Sequence, residues 1–155
     1  KGEIEIIDYA LVNSAFLKEV DYIVKITGRY IIKNISNLLS QVDFQENPVY
    51  INPTRSLKWA DTRLMVMRKF YYDKYFLSAI KISDEQRAKS YMEVYFMKSL
   101  FLFLLDGGNM KLWPVYPLYQ GVDGTHNEKV SFGFFKSIKY SIYYQFKKFA
   151  FKHRA

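Results

Sequence analysis

The sequence predicts an α/β fold, a mixed sheet flanked by helices. Three observations carry that expectation. Segments of helical period alternate with β-branched runs, in the order helix, strand, helix, strand, helix. The 155 residues are 50% hydrophobic and 25% charged, enough apolar material for one domain with a sizeable core. The longest apolar run, Val94 to Leu105, is interrupted by Lys98 and is too short to cross a bilayer, so it reads as a buried helix.

Ile4, Ile7, Leu11, Ser14 and Ala15 follow the spacing of an amphipathic helix. Val20 to Ile26 is a β-branched run closed by Thr27-Gly28, which predicts a strand and a turn. Asn34 or Ser36 offers a cap for a short helix through Leu39. Asn47-Pro48 and Asn52-Pro53 bracket a brief strand, Val49 to Ile51. Arg63 to Phe70 reads as a further strand and Tyr71 to Ile80 as a short helix. Ser83-Asp84-Glu85 is a good helix start, because a short polar side chain satisfies free amides there. That helix should stop at Asp106-Gly107-Gly108-Asn109. Trp113 to Tyr119 should be extended, Gly121 to Thr125 a loop, and Phe135 onward a helix.

Zero Cys excludes disulfides, thiolate metal sites and a cysteine nucleophile, and suits a reducing cytosol. The chain shows no charged-then-apolar leader, and a cytoplasmic location follows as an expectation. The net charge of +8 is unevenly spread: Phe134 to Ala155 holds six basic residues and no acid, so the rest carries only +2. Residues 1–133 are therefore expected to form the α/β domain and 134–155 a basic helical tail.

The turn Thr27-Gly28-Arg29 ends a buried strand in a small residue, a backbone-permissive Gly and a planar guanidinium suited to phosphate or carboxylate. The same residues also describe a tight turn with a solvated Arg. Glu93 is the one acid inside the apolar and aromatic stretch Tyr91 to Phe96. Such surroundings disfavour the charged carboxylate and move it towards a general base, while a structural Glu is the competing account. Gly121, Asp123, Gly124, Thr125 and His126 form a segment able to offer amides and hydroxyls to phosphate, though Asp-Gly also marks an ordinary surface turn. His153 reads as a solvated tail residue. No phosphate-loop, dinucleotide-binding, His-Glu-x-x-His or nucleophile-elbow motif is present, and the Gly/aromatic signature of an RNA-binding sheet is missing.

Lys1-Gly2-Glu3 before a helix, then DYIVKITGRYIIKNI, DTRLMVMRKFYYDKYF, YMEVYF and PLYQGVDGTHNEKV, resemble in that order the bacterial nucleotide-sugar glycosyltransferases of capsule and lipopolysaccharide synthesis. The resemblance spans most of Lys1 to Val130, without the further amino-terminal stretch of that family. It implies a nucleotide-diphospho-sugar transferase fold and transfer from a nucleoside-diphosphate donor to a surface-polysaccharide or lipid-linked glycan acceptor. Donor contacts would fall to Lys1, Gly2, Glu3, Thr27, Gly28, Arg29, Gly121, Asp123, Gly124, Thr125 and His126, and the base to Glu93. Many relatives of that broad fold hold a divalent metal with paired Asp where this chain has Thr27-Gly28-Arg29. A guanidinium binds no cation, so either cationic side chains such as Lys25 and Arg29 neutralise the diphosphate or a metal is held elsewhere. The expectation leans to metal independence, and the alternation of Lys25 with Ile26 weakens the case for Lys25. Trp59 and Tyr72 are candidates to stack on the acceptor sugar, with core packing the commoner fate of both. The alternative function is a non-catalytic basic module that binds nucleic acid through its tail, with salt-dependent affinity.

On a helix, Phe135, Ile138, Ile142, Phe146 and Phe149 form one stripe, with Lys136, Lys147, Lys148 and Lys152 off it and Lys139 near its edge. An apolar stripe beside cations is the pattern of a helix lying on an anionic membrane surface. This predicts a peripheral position on the inner face of the membrane. The alternative is that the stripe packs on the domain and the lysines are solvated.

Overall fold

The computed structural model describes residues 2–45, 48–79, 91–122, 129–130 and 134–152. The expected helix start at Ser83-Asp84-Glu85 lies outside them, as do Lys1, Asp123, Gly124, Thr125, His126 and His153. Among the described residues the architecture is α/β, a mixed four-stranded sheet with flanking helices and a second, three-stranded sheet.

Two helices open the chain, α1 (Gly2–Asn13) and α2 (Ala15–Lys18). Ser14 separates them and caps α2 by accepting a hydrogen bond from the Leu17 amide. Strand β1 (Tyr22–Ile26) buries Ile23 and Lys25 and exposes Val24 and Ile26, the alternation of a sheet edge. After a turn, β2 (Tyr30–Ile32) leaves this sheet and joins the second one, and α3 (Ile35–Leu39) follows.

Strands β3 (Val49–Thr54) and β4 (Trp59–Arg68) form an antiparallel hairpin. Both are longer than their sequence signals. Pro53 sits inside β3, and β4 begins four residues before the expected Arg63. The ladder is interrupted: between the pairs Tyr50–Val66 and Asn52–Asp61, Ile51 alone faces Thr62 to Met65. This bulge swaps the faces of β4, so Ala60 and Met65 share one core while Leu64 and Val66 join the other.

Helix α4 (Lys69–Tyr71) passes into a π-helical turn, Tyr72–Phe76. The wider turn brings Tyr71, Tyr72, Tyr75 and Phe76 all into the interior. Helix α5 (Met92–Leu105) lies on the same side of the sheet. Its Ser99 shares a buried 2.6 Å hydrogen bond with the Tyr71 hydroxyl. It stops where expected, with Gly107 in the left-handed conformation (φ 82°) that a helix end favours. β5 (Met110–Lys111) pairs parallel with β3, giving the sheet order β1-β4-β3-β5.

The second sheet has the order β2-β6-β7, from β6 (Tyr119–Val122) and β7 (Lys129–Val130). Gly121 and Val122 are therefore strand residues, which corrects the expected loop from Gly121. Helix α6 (Phe134–Lys152) docks on the body through buried Tyr144, with Tyr140 stacked on Tyr116 at 5.5 Å. Two apolar cores result. One lies between the first sheet, α1, the π turn and α5; the other gathers Ile32, Leu38, Trp113, Tyr119 and Tyr144 behind it.

Candidate functional site

The two sheets meet at the turn between β1 and β2. Tyr30 closes that turn by donating its amide to the Thr27 carbonyl (3.1 Å), and the Thr27 amide reaches across to Arg63 O (3.0 Å). Beside it lies an open cleft of about 810 Å³, lined by the turn, the distal ends of β3 and β4, Ile6 of α1 and Glu93 of α5. Thr27, Gly28 and Arg29 are thus brought to the same cleft as Glu93, 64 positions from Arg29 in sequence. Gly2 and Glu3 open α1, one turn ahead of Ile6.

The bulge in β4 shapes this wall. It leaves the Thr62 carbonyl without a ladder partner, and a buried polar group in that position needs another one. Lys25 supplies it. Its ammonium donates to Thr62 O at 2.5 Å and to the Thr27 hydroxyl at 2.8 Å. Lys25 is buried, so it braces the cleft from behind and does not line it, in keeping with the strand alternation that counted against it.

Arg63 and Asp61 form a planar, two-bond pair on the cleft wall, at 2.8 and 2.7 Å. The guanidinium also lies 4.0 Å above the Tyr119 ring. Burial opposes its charge, but the Asp61 hydrogen bond and charge outweigh that and hold Arg63 above its ordinary value. Arg63 was not picked out by sequence reasoning, and neither was Arg55. The paired spacing Asp61-x-Arg63 on a strand, which puts both on one face, was the available signal for the first.

Arg55 stands at the hairpin tip, where Arg55, Ser56 and Leu57 all adopt left-handed backbone (φ 49°, 54° and 66°). Its guanidinium lies 4.2 Å from the centroid of Trp59, which also meets Tyr91 at 5.1 Å. Trp59 does line the cleft. Tyr72 does not: it is fully buried and donates its hydroxyl to Asp8 at 2.6 Å, so it is a core residue and stacks on no ligand. Burial, then the Asp8 carboxylate, raise its ionisation above the ordinary tyrosine value.

Glu93 sits half-buried in the first turn of α5 and lines the open cleft, so it is not enclosed by the apolar stretch Tyr91 to Phe96 as the sequence suggested, and free amides of the turn favour its carboxylate. Gly121 lies opposite Tyr30 in the second sheet, and a Cβ there would come within 2.1 Å of the Arg29 carbonyl. Its bareness allows the turn to close. Among the described residues no cluster of three or more acids or histidines gathers in a form that would hold a metal, and both oxygens of Asp61 are taken by Arg63.

The cleft therefore is lined by Arg29 and Arg55, by Arg63 locked in an ion pair, by the half-buried Glu93, by threonines and by an indole. It is chemically suited to an anionic, partly planar ligand with a nearby proton acceptor. No protein family, curated protein or solved structure matches the chain.

Proposed function

We propose that the protein is a glycosyltransferase whose cleft takes a nucleoside-diphosphate sugar and passes the sugar to a surface-polysaccharide or lipid-linked glycan. The observation that carries this reading is the meeting of the Thr27-Gly28-Arg29 turn and Glu93 at one cleft, since each was assigned separately to donor and base. The guanidiniums of Arg29 and Arg55 neutralise the diphosphate, a task a divalent ion performs in other transferases. Trp59 lines the same cleft, with the Arg55 guanidinium over its ring. In an inverting transfer the acceptor oxygen bonds the anomeric carbon as the bond to the β-phosphate oxygen breaks. The hydroxyl proton passes to Glu93, and the nucleoside diphosphate leaves with the bonding pair.

The test is a thermal-stability screen against a panel of nucleoside-diphosphate sugars, with and without Mn²⁺. A true donor at 100 times its dissociation constant should add about 2.7 kcal/mol, without a requirement for metal. Arg29→Ala should abolish most of that gain. Stabilisation by none of the donors, or an equal gain in the variant, would remove the assignment.

A further inference from the structure

We infer that α6 is a docking helix for an anionic lipid bilayer, whose headgroup and acyl boundary receives the outward stripe Ile138, Ile142, Phe146 and Phe149. The inference rests on the helix alone and stands whether or not the cleft transfers sugar. Tyr140 and Tyr144 fix which side of α6 meets the body, and Lys147 and Lys148 do the same with hydrogen bonds to Asn52, Pro53 and Pro114. The stripe points the opposite way. Ile142 is 55% exposed, Phe146 70% and Phe149 66%. The alternative that the stripe packs on the domain is thereby reversed, because the body takes two of the lysines and leaves Ile142 and Phe146 outside.

Ile138, Ile142 and Phe146 recur at steps of four and face solvent, and such a stripe calls for a partner that is itself apolar. Charge decides which. Phe134 to Ala155 holds six basic residues and no acid, and Lys139 is exposed at the edge of the stripe. Lys147 and Lys148 turn to the body, and the other four cations meet no acid in this segment, so a second copy of α6 would set like charge against like, whereas an anionic leaflet complements it. Helix α1 is the instructive contrast. It exposes Ile6, Tyr9, Val12 and, just beyond its end, Phe16, but carries Glu5 and Asp8 among them and would be repelled by the same leaflet. No described helix is long and apolar enough to cross a membrane, so the mode is lying on the surface and not spanning it.

The experiment is co-sedimentation of the full chain with phosphatidylcholine vesicles, with or without phosphatidylglycerol, alongside the double variant Ile142→Ser/Phe146→Ser and the single variant Lys139→Gln. Both positions of the double variant are solvent-facing, so the fold should persist, as circular dichroism will check; Phe149→Ser serves in its place if helical signal is lost. The unaltered chain should sediment with anionic vesicles and much less with neutral ones. The double variant should bind about tenfold or more weakly, and Lys139→Gln measurably weaker than the parent. Equal binding by parent and stripe variant, binding indifferent to lipid charge, or a concentration-dependent dimer that Phe146→Ser dissolves without any vesicle binding would each overturn the inference.

Discussion

Glu93 and Gly121 stand near the same turn and make opposite demands on a substitution. Glu93 holds a chemical group in the cleft, and its carboxylate lies in a first helical turn where losing the charge costs at most about 1 kcal/mol. Glu93→Gln should therefore lower sugar-transfer turnover about a hundredfold or more while the urea midpoint barely moves; near-normal turnover would take Glu93 out of the chemistry. Gly121 contributes only the space that the Arg29 carbonyl fills. Gly121→Ala must push that backbone away, at a cost of about 1–3 kcal/mol, and denaturant unfolding should register it. An unchanged midpoint would mean that the two strands separate freely. The sequence marked Gly121 as a loop residue because Gly-x-Asp-Gly is turn-like composition, and composition does not reveal that a Gly is required by a neighbouring strand. Trp59 and Tyr72 were equally indistinguishable in the chain. The π turn sends Tyr72 inward to Asp8, while Trp59, at the start of β4, stays at the cleft.

Among the elements, β1 and its turn were legible, because a β-branched run closed by Thr-Gly has few other conformations available. Helix α5 ended at its Gly pair for the same kind of local reason. The β3–β4 hairpin was not legible. Its tip, Arg55-Ser56-Leu57-Lys58, contains neither Gly nor Asn, the residues that normally announce left-handed backbone, and Pro53 argues against a strand. The bulge opposite Ile51 is invisible for a different reason, since it depends on which carbonyl Lys25 reaches from another strand. The tip yields an element-scale prediction. A non-glycine residue in that region costs about 1–2 kcal/mol, and a glycine loses roughly 0.5–1 kcal/mol of chain entropy, so strain is the larger effect. Exposed Ser56→Gly should raise stability by about 0.5–1 kcal/mol, seen as a higher urea midpoint at unchanged slope. A lower midpoint would show that the Ser56 side chain holds the tip.

Across the whole molecule, the two aromatic cores set the response to pH. Burial raises the ionisation of Tyr71, Tyr72, Tyr116, Tyr119 and Tyr144 above the ordinary value of about 10. Their hydroxyls stay protonated in the fold after the unfolded chain has begun to lose those protons. The stability they confer is complete below about pH 10 and falls as pH climbs past it. Lys147 has the opposite sign: burial lowers its value, with Asp61 partly restoring it, so raising the pH relieves a cost. One lysine against five tyrosines leaves a net loss. The urea midpoint should hold from about pH 8 to about pH 9.5 and drop by about pH 11, with tyrosinate absorbance from the buried set appearing only on unfolding. Smooth ionisation of all 14 tyrosines in a still-folded chain would contradict the packing. Lys147 has a mechanical meaning as well. It ties α6 to Asn52 and Pro53, and the residues that follow, Thr54 at the strand end and Arg55 at the tip, line the cleft. Helix and rim thus share one anchor, as a handle and a jaw share a rivet.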